Sequence, residues 1–182
     1  MTDPVLAQEL SALIASDDRR LAALRLVDAL ELPEGAIAGA FVRLAAFDRI
    51  HRHEEWTQLP RIDVVYYDPE RPDLAVDDSV ELELLAQAPR RPWRVRNLAI
   101  DRPGVAGLAE ALDVYPDTAD ALAVRLDRRG EVEVAAAPFG LDDVLAGMVR
   151  PVSTDRVAEL RRRVRDEKWT RRFPKLQLIG LD

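Results

Sequence analysis

The segment at residues 59–68, Leu-Pro-Arg-Ile-Asp-Val-Val-Tyr-Tyr-Asp, constrains this chain more than any other. It alternates polar and apolar side chains and then runs continuously apolar, which predicts a strand over 61–67 entering a core. Residues i and i+2 of a strand share a face, so Arg61 and Asp63 aim together at whatever lies above it. Two carboxylates in that arrangement would hold a divalent metal for phosphoryl transfer. Here one position is Asp63 and the other carries the fixed positive charge of Arg61. Arg61 repels a cation at that point, yet its fork of N–H groups suits direct bidentate contact with a phosphate.

The rest of the chain reads as alternating helices and strands. Apolar spacing at Leu6, Leu10, Leu13 and Ile14 predicts a helix over 4–15, and the Ser16-Asp17-Asp18 break caps a second from Arg19 to about Leu30. Residues 36–50 are almost uniformly apolar and read as a third, buried helix. Helical spacing returns at 78–87. Strands are expected at Trp93–Ile100, at 121–127 and at 131–136, the last two joined by Arg-Arg-Gly as a hairpin. A helix is expected from Phe139 to Val149 and a last one from Val152 to about Trp169. The expected fold is therefore α/β (α+β), with one mixed, mainly antiparallel sheet and flanking helices. The expected organisation is a single domain over 1–182. Residues 1–32 form an N-terminal helical extension, 33–150 the core, and 151–182 a C-terminal helix and tail.

Composition narrows the function classes. A net charge of −7 argues against broad electrostatic binding to nucleic acid. No apolar run reaches the roughly 20 residues that a bilayer crossing needs. The absence of cysteine excludes thiolate metal sites and disulfides. The N-terminus lacks a basic segment followed by an apolar one, so the expected location is cytoplasmic.

Four segments in order resemble a bacterial family of small nucleotidyltransferase-like proteins of the polymerase-β type. They are Val42-Arg43, Ile62-Asp63-Val64-Val65-Tyr66-Tyr67-Asp68-Pro69, Pro92-Trp93-Arg94-Val95-Arg96-Asn97, and Tyr115-Pro116-Asp117-Thr118-Ala119 running on to Pro138-Phe139-Gly140-Leu141-Asp142-Asp143. Val149-Arg150-Pro151 also fits. The resemblance implies a nucleotidyltransferase fold and transfer from an NTP to an acceptor. Asp63 would be the catalytic residue and the ligand of a Mg2+ cofactor, helped by Asp68 or Asp101. Arg43 and Arg61 would contact phosphate, and Asn97 the nucleotide or acceptor. The chain departs from the family pattern where chemistry should sit. Ala38-Gly39-Ala40 stands for Gly-x-Gly, Leu44 for Asn, Arg61 for the first carboxylate, and Leu98-Ala99-Ile100-Asp101-Arg102 for Gln-Ala-Arg-Met-His. Two functional expectations follow. One is nucleotidyl transfer with a weakened metal site. The other is a catalytically inactive relative, a pseudoenzyme, whose cleft binds a nucleotide or a protein partner. A homo-oligomer is a further expected partnership.

Other groups carry alternatives. His51 and Glu55 have i, i+4 metal spacing if helical, or are a solvated helix end. Asp68, Asp73, Asp77 and Asp78 read as a polar loop with helix-capping aspartates. Arg161-Arg162-Arg163 with Arg165, Lys168, Arg171 and Arg172 reads as a solvated helix face, with nucleic-acid or phosphate contact and intersubunit pairing as alternatives. Trp56, Trp93 and Trp169 read as core anchors. Arg43, on an otherwise apolar helix, needs a partner: an internal carboxylate such as Asp63, or a phosphate in the cleft.

Overall fold

The computed structural model describes residues 3–181. Two helices come first, α1 (Pro4–Ala15) and α2 (Asp18–Asp28), each capped by an aspartate, Asp3 and Asp17. Strand β1 (Ala36–Ala38) leads into α3 (Ala40–His51), β2 (Ile62–Tyr66), α4 (Leu74–Gln87) and β3 (Trp93–Asn97). Short helices α5 (Leu98–Asp101) and α6 (Leu108–Ala111) precede the hairpin of β4 (Ala123–Leu126) and β5 (Val132–Ala136). The chain ends with α7 (Asp142–Ala146), β6 (Met148–Val149), α8 (Val157–Asp166), α9 (Trp169–Arg172) and β7 (Gln177–Leu178).

The main sheet has five strands in the order β3-β2-β1-β4-β5. Only β2 and β3 run parallel, and α4 makes the crossover that a parallel pair requires. The sheet is therefore mixed and mainly antiparallel, with helices flanking both faces. One face carries Ile37, Val64, Val95 and Val124 into the larger core, packed by α1, α2, α3, α7 and the C-terminal helices. The other carries Ala36, Ala38, Val65 and Ala123 into a smaller core closed by Leu98, Leu108, Leu112 and Tyr115. Asp63 sits on this second face, in register with Ala38 on one side and Arg94 on the other.

The outer edge of β3 is not left open. The backbone N–H of Val95 donates to Glu81 Oε2 at 3.0 Å, and that of Asn97 to both Asp77 carboxylate oxygens at 3.1 Å. Helix α4 thus lays two carboxylates along a strand edge that has no neighbouring strand.

Several elements differ from the sequence expectation. Residues 36–38 form the central strand instead of the first turn of a helix, because a fully apolar run fits a buried strand as well as a buried helix. Gly39 makes the break with φ +68 and ψ −132. The helix expected over 139–149 covers only 142–146 and is ended by Gly147 at φ +72, after which Met148–Val149 pairs in parallel with Gln177–Leu178. The last helix is interrupted at Lys168, where φ is +55. Helices α1 and α2 bury Leu10, Ile14, Ala23, Leu24 and Val27 in the main core. Among the described residues, no helix is long and apolar enough to cross a membrane.

Candidate functional site

The start of β2, the end of β1 and the first turn of α3 meet at one point. Asp63 is 1% exposed and accepts from Arg61 Nε at 2.6 Å and Nη2 at 3.0 Å, a bidentate fork. Burial lowers the pKa of the Arg61 guanidinium, but the hydrogen bonds and charge of Asp63 outweigh it, and the net shift is upward. Gly39 starts α3 without a side-chain cap. A Cβ on Gly39 would lie 3.1 Å from the Tyr115 ring and 3.2 Å from Asp63 Oδ2, so the positive φ and the crowding both call for glycine. Tyr115 is 4% exposed, and burial, with the charge of Asp63 added, holds its phenol well above the usual value.

Arginines surround this carboxylate. Arg94 lies beside Asp63 in register and Arg96 beside Val65, so both share its face. Arg94 is exposed, and Arg96 is half-buried and paired with Asp101 at 2.5 Å. A guanidinium has five N–H donors. Arg61 gives two of them to Asp63, which leaves the other three. The donor set does not suit a divalent cation. Asp63 is the one carboxylate on this stretch of strand, and both its oxygens accept from an arginine. Among the described residues no group of three or more His, Asp or Glu is placed to hold a metal.

The helpers expected for Asp63 are elsewhere. Asp68 lies five residues on, roughly 16 Å away at strand spacing. It accepts from the N–H groups of Glu70 and Arg71 and from Arg71 Nε. Asp101 is the partner of Arg96. Asn97 is 1% exposed and its amide is fully used. It accepts from the N–H groups of Asp68 and Ala99 and donates to the carbonyls of Asp68 and Arg71, clamping the loop after β2. His51 is likewise committed: Nδ1 donates to the Phe47 carbonyl at 2.7 Å and Nε2 accepts from Lys175 N–H at 2.9 Å. Helix α3 ends at His51, so the helical spacing to Glu55 is not formed. The aspartate loop behaves as expected at Asp73, which caps α4, while Asp77 is buried and accepts from the Tyr66 hydroxyl.

Arg43 resolves to the internal-carboxylate alternative, but its partner is Asp120, not Asp63. Its Nε donates to Asp120 Oδ1 at 2.7 Å, and its guanidinium lies 3.9 Å from the centroid of the Trp169 ring. Arg163 bridges Asp120 and Asp117, and also bonds Glu167 at 2.9 Å. Arg163 therefore leaves the solvated face on which the sequence placed it, because α8 turns this one residue of the basic run inward. Desolvation, then repulsion from Asp120, raises the Asp117 carboxyl to about 7. Burial works against ionisation of Asp120 too, but Arg163 and Arg43 prevail and its pKa falls below the ordinary value. This cluster was not visible in sequence. Asp117 belonged to the distinctive Tyr-Pro-Asp-Thr-Ala block, yet nothing local linked it to Arg163. Trp169 and Trp93 are buried, as anchors should be, and Trp56 is half-buried against Arg20.

A nucleotidyltransferase family model matches residues 25–178. The chain belongs to the nucleotidyltransferase family. The fold of this nucleotidyltransferase-family chain is similar to a solved structure described as revealing a CCA-adding enzyme head domain, with TM-score 0.78 and 22% identity over 94% of this chain and 95% of that one. A CCA-adding enzyme in complex with CTP aligns at TM-score 0.58 and 16% identity, over 94% of this chain and 43% of its own. A tRNA-processing enzyme aligns at TM-score 0.54 and 16% identity, over 88% and 43%. The chain thus spans less than half the length of those two enzymes. No curated protein sequence matches.

Proposed function

We propose that this nucleotidyltransferase-family protein binds a nucleoside triphosphate through arginine contacts and is a poor catalyst of metal-dependent transfer. One observation carries the reading: both oxygens of Asp63 are held by Nε and Nη2 of Arg61, which stands at the i−2 position where a second metal ligand would stand. A Mg2+ ion between two strand carboxylates draws phosphates into line and screens their charge. A single carboxylate already neutralised by an arginine does neither. The same arginine, anchored by Asp63 through two of its N–H groups and with its side chain partly exposed, suits a phosphate oxygen directly. Arg94 on the same face adds positive charge, Arg96 being paired with Asp101, and the uncapped N-terminal end of α3 adds a favourable dipole. Arg43 and Asn97 are assigned to holding the scaffold. The CTP complex of a similar enzyme supports a nucleotide as the ligand class, without fixing the base.

The test is calorimetric titration of ATP, GTP, CTP and UTP, each with and without Mg2+. The expected result is binding that needs no metal and weakens at least tenfold in Arg61→Ala. Binding that requires Mg2+ and disappears in Asp63→Ala would establish the catalytic reading instead, with Asp63 as the metal ligand. An Arg61→Asp variant sharpens the result, since it places two carboxylates at i and i+2. Magnesium dependence is expected to appear there.

A further inference from the structure

Tyr115 presents a hydroxyl for which the fold has no use. The residue is 4% exposed, and its Oη is buried without a hydrogen-bond partner. Buried polar groups are paired as a rule, and an orphan carries a desolvation penalty that a phenylalanine of the same shape avoids. The apolar part of the ring has ample reason to be here. It closes the smaller core with Leu108, Leu112 and Ala38. The hydroxyl does not, so its presence calls for a group that comes from outside the chain.

The position says which group. Tyr115 Cε1 and Cζ lie 3.1 and 3.6 Å from the point where a Cβ of Gly39 would sit, and Asp63 Oδ2 lies 3.2 Å from the same point. The hydroxyl end of the ring, the Asp63 carboxylate and the first turn of α3 therefore converge. Helix α3 is 12 residues long and begins at a glycine with no side-chain cap. Its first N–H groups and the phenol are donors, which suit an oxyanion, and Asp63, the one acceptor beside them, is already neutralised by Arg61. Arg61 is the outermost member, with its side chain 42% exposed against 2% for Asp63.

We infer that Tyr115 is a ligand-contacting residue of this cleft, its hydroxyl donating to a phosphate oxygen of the nucleotide seated at the N-terminal end of α3. The inference rests on the nucleotide-binding reading above and adds a specific donor to it. The phenol keeps its proton across the neutral range, since burial and Asp63 both disfavour the phenolate.

Tyr115→Phe tests the assignment, because a ligand contact and a structural one move stability and affinity differently. Thermal melting and calorimetric titration with CTP, ATP and inorganic tripolyphosphate are measured on the wild type, Tyr115→Phe and Arg61→Ala. The expected result is a melting temperature equal to or above that of the wild type, with affinity for all three probes reduced about 5- to 30-fold. A lowered melting temperature would mean that the hydroxyl has a partner within the fold, and would overturn the assignment. So would unchanged affinity in Tyr115→Phe where Arg61→Ala loses it, and the arginine reading would then survive alone. A wild type that binds none of the three probes would overturn both.

Discussion

Two arginine–aspartate pairs in this molecule share a contact and differ in almost everything else. Arg61 and Asp63 meet at 2.6 Å, Arg43 and Asp120 at 2.7 Å, each through Nε and Oδ1. The first pair is two residues apart at the start of one strand, and its arginine side chain is 42% exposed. The second joins positions 77 apart, with side chains 1% and 0% exposed. The first cation reaches solvent, and the second is sealed from it. The same chemical pair is therefore open to solvent in one place and a sealed structural bond in the other. Burial of the cation decides which.

The largest expected effect comes from breaking the inner pair. Arg43→Ala leaves Asp117 and Asp120 with Arg163 as their main counter-charge in a dry site. Removing one partner of a buried pair typically costs about 3–5 kcal/mol. At about 2–4 °C per kcal/mol for a chain of this size, the melting temperature should fall by roughly 6–20 °C. Urea unfolding gives the free energy directly. Nucleotide affinity measured below the new transition should change little.

A smaller effect separates the two carboxylates of the inner cluster. The groups facing Asp117 are Asp120 on its own loop, Arg43 from α3 and Arg163 from α8. The Asp117 carboxyl is raised from 3.8 to about 7 in the folded chain. Between these values the folded state binds more protons than the unfolded one. Stability from this group is thus fully present below pH 4 and lost as pH rises towards 7. Asp120, shifted downward, does not titrate in that window. Asp117→Asn should flatten the decline and melt above the wild type at pH 8. Parallel pH profiles for the two proteins would show that Asp117 is ionised throughout.

The smallest effect on stability belongs to the outer pair. Arg61→Ala should cost on the order of 1 kcal/mol, the usual scale for an ion pair with an exposed partner. Its consequence should lie in ligand binding. Equal destabilisation by Arg61→Ala and Arg43→Ala would dissolve the distinction, and Arg61 would then be a scaffold residue as well.

The two pairs also differ in how readable they were. Arg61 and Asp63 stand within one strand whose period-2 pattern is explicit, and so do the β4–β5 hairpin and its Arg-Arg-Gly turn. The nucleotidyltransferase-like sheet followed from those patterns together with the ordered family segments. Strand β1 did not, since three apolar residues beside an apolar helix carry no period of their own. The break depends on the backbone of Gly39, where Tyr115 and Asp63, far along the chain, leave no room for a side chain. The inner cluster was beyond reach for the same reason. Arg163 sits in a run of arginines that look alike in sequence, and only the packing of α8 turns that one towards Asp117 and Asp120. Tyr115 opens the distinctive Tyr-Pro-Asp-Thr-Ala segment, but a missing hydrogen-bond partner is a property of three dimensions.

The carboxylates that α4 lays along β3 bear on how these molecules behave in a crowd. An outer strand with free N–H groups is a template on which a second chain can add a strand, and stacking of that kind leads to insoluble fibres. Glu81 and Asp77 occupy the donors at Val95 and Asn97 from within the same molecule. An incoming strand would have to displace two anions already bonded there and bring its own carbonyls up against their charge. The chain thus carries its own guard against recruitment by its neighbours, built from a helix that the fold needs anyway to connect two parallel strands.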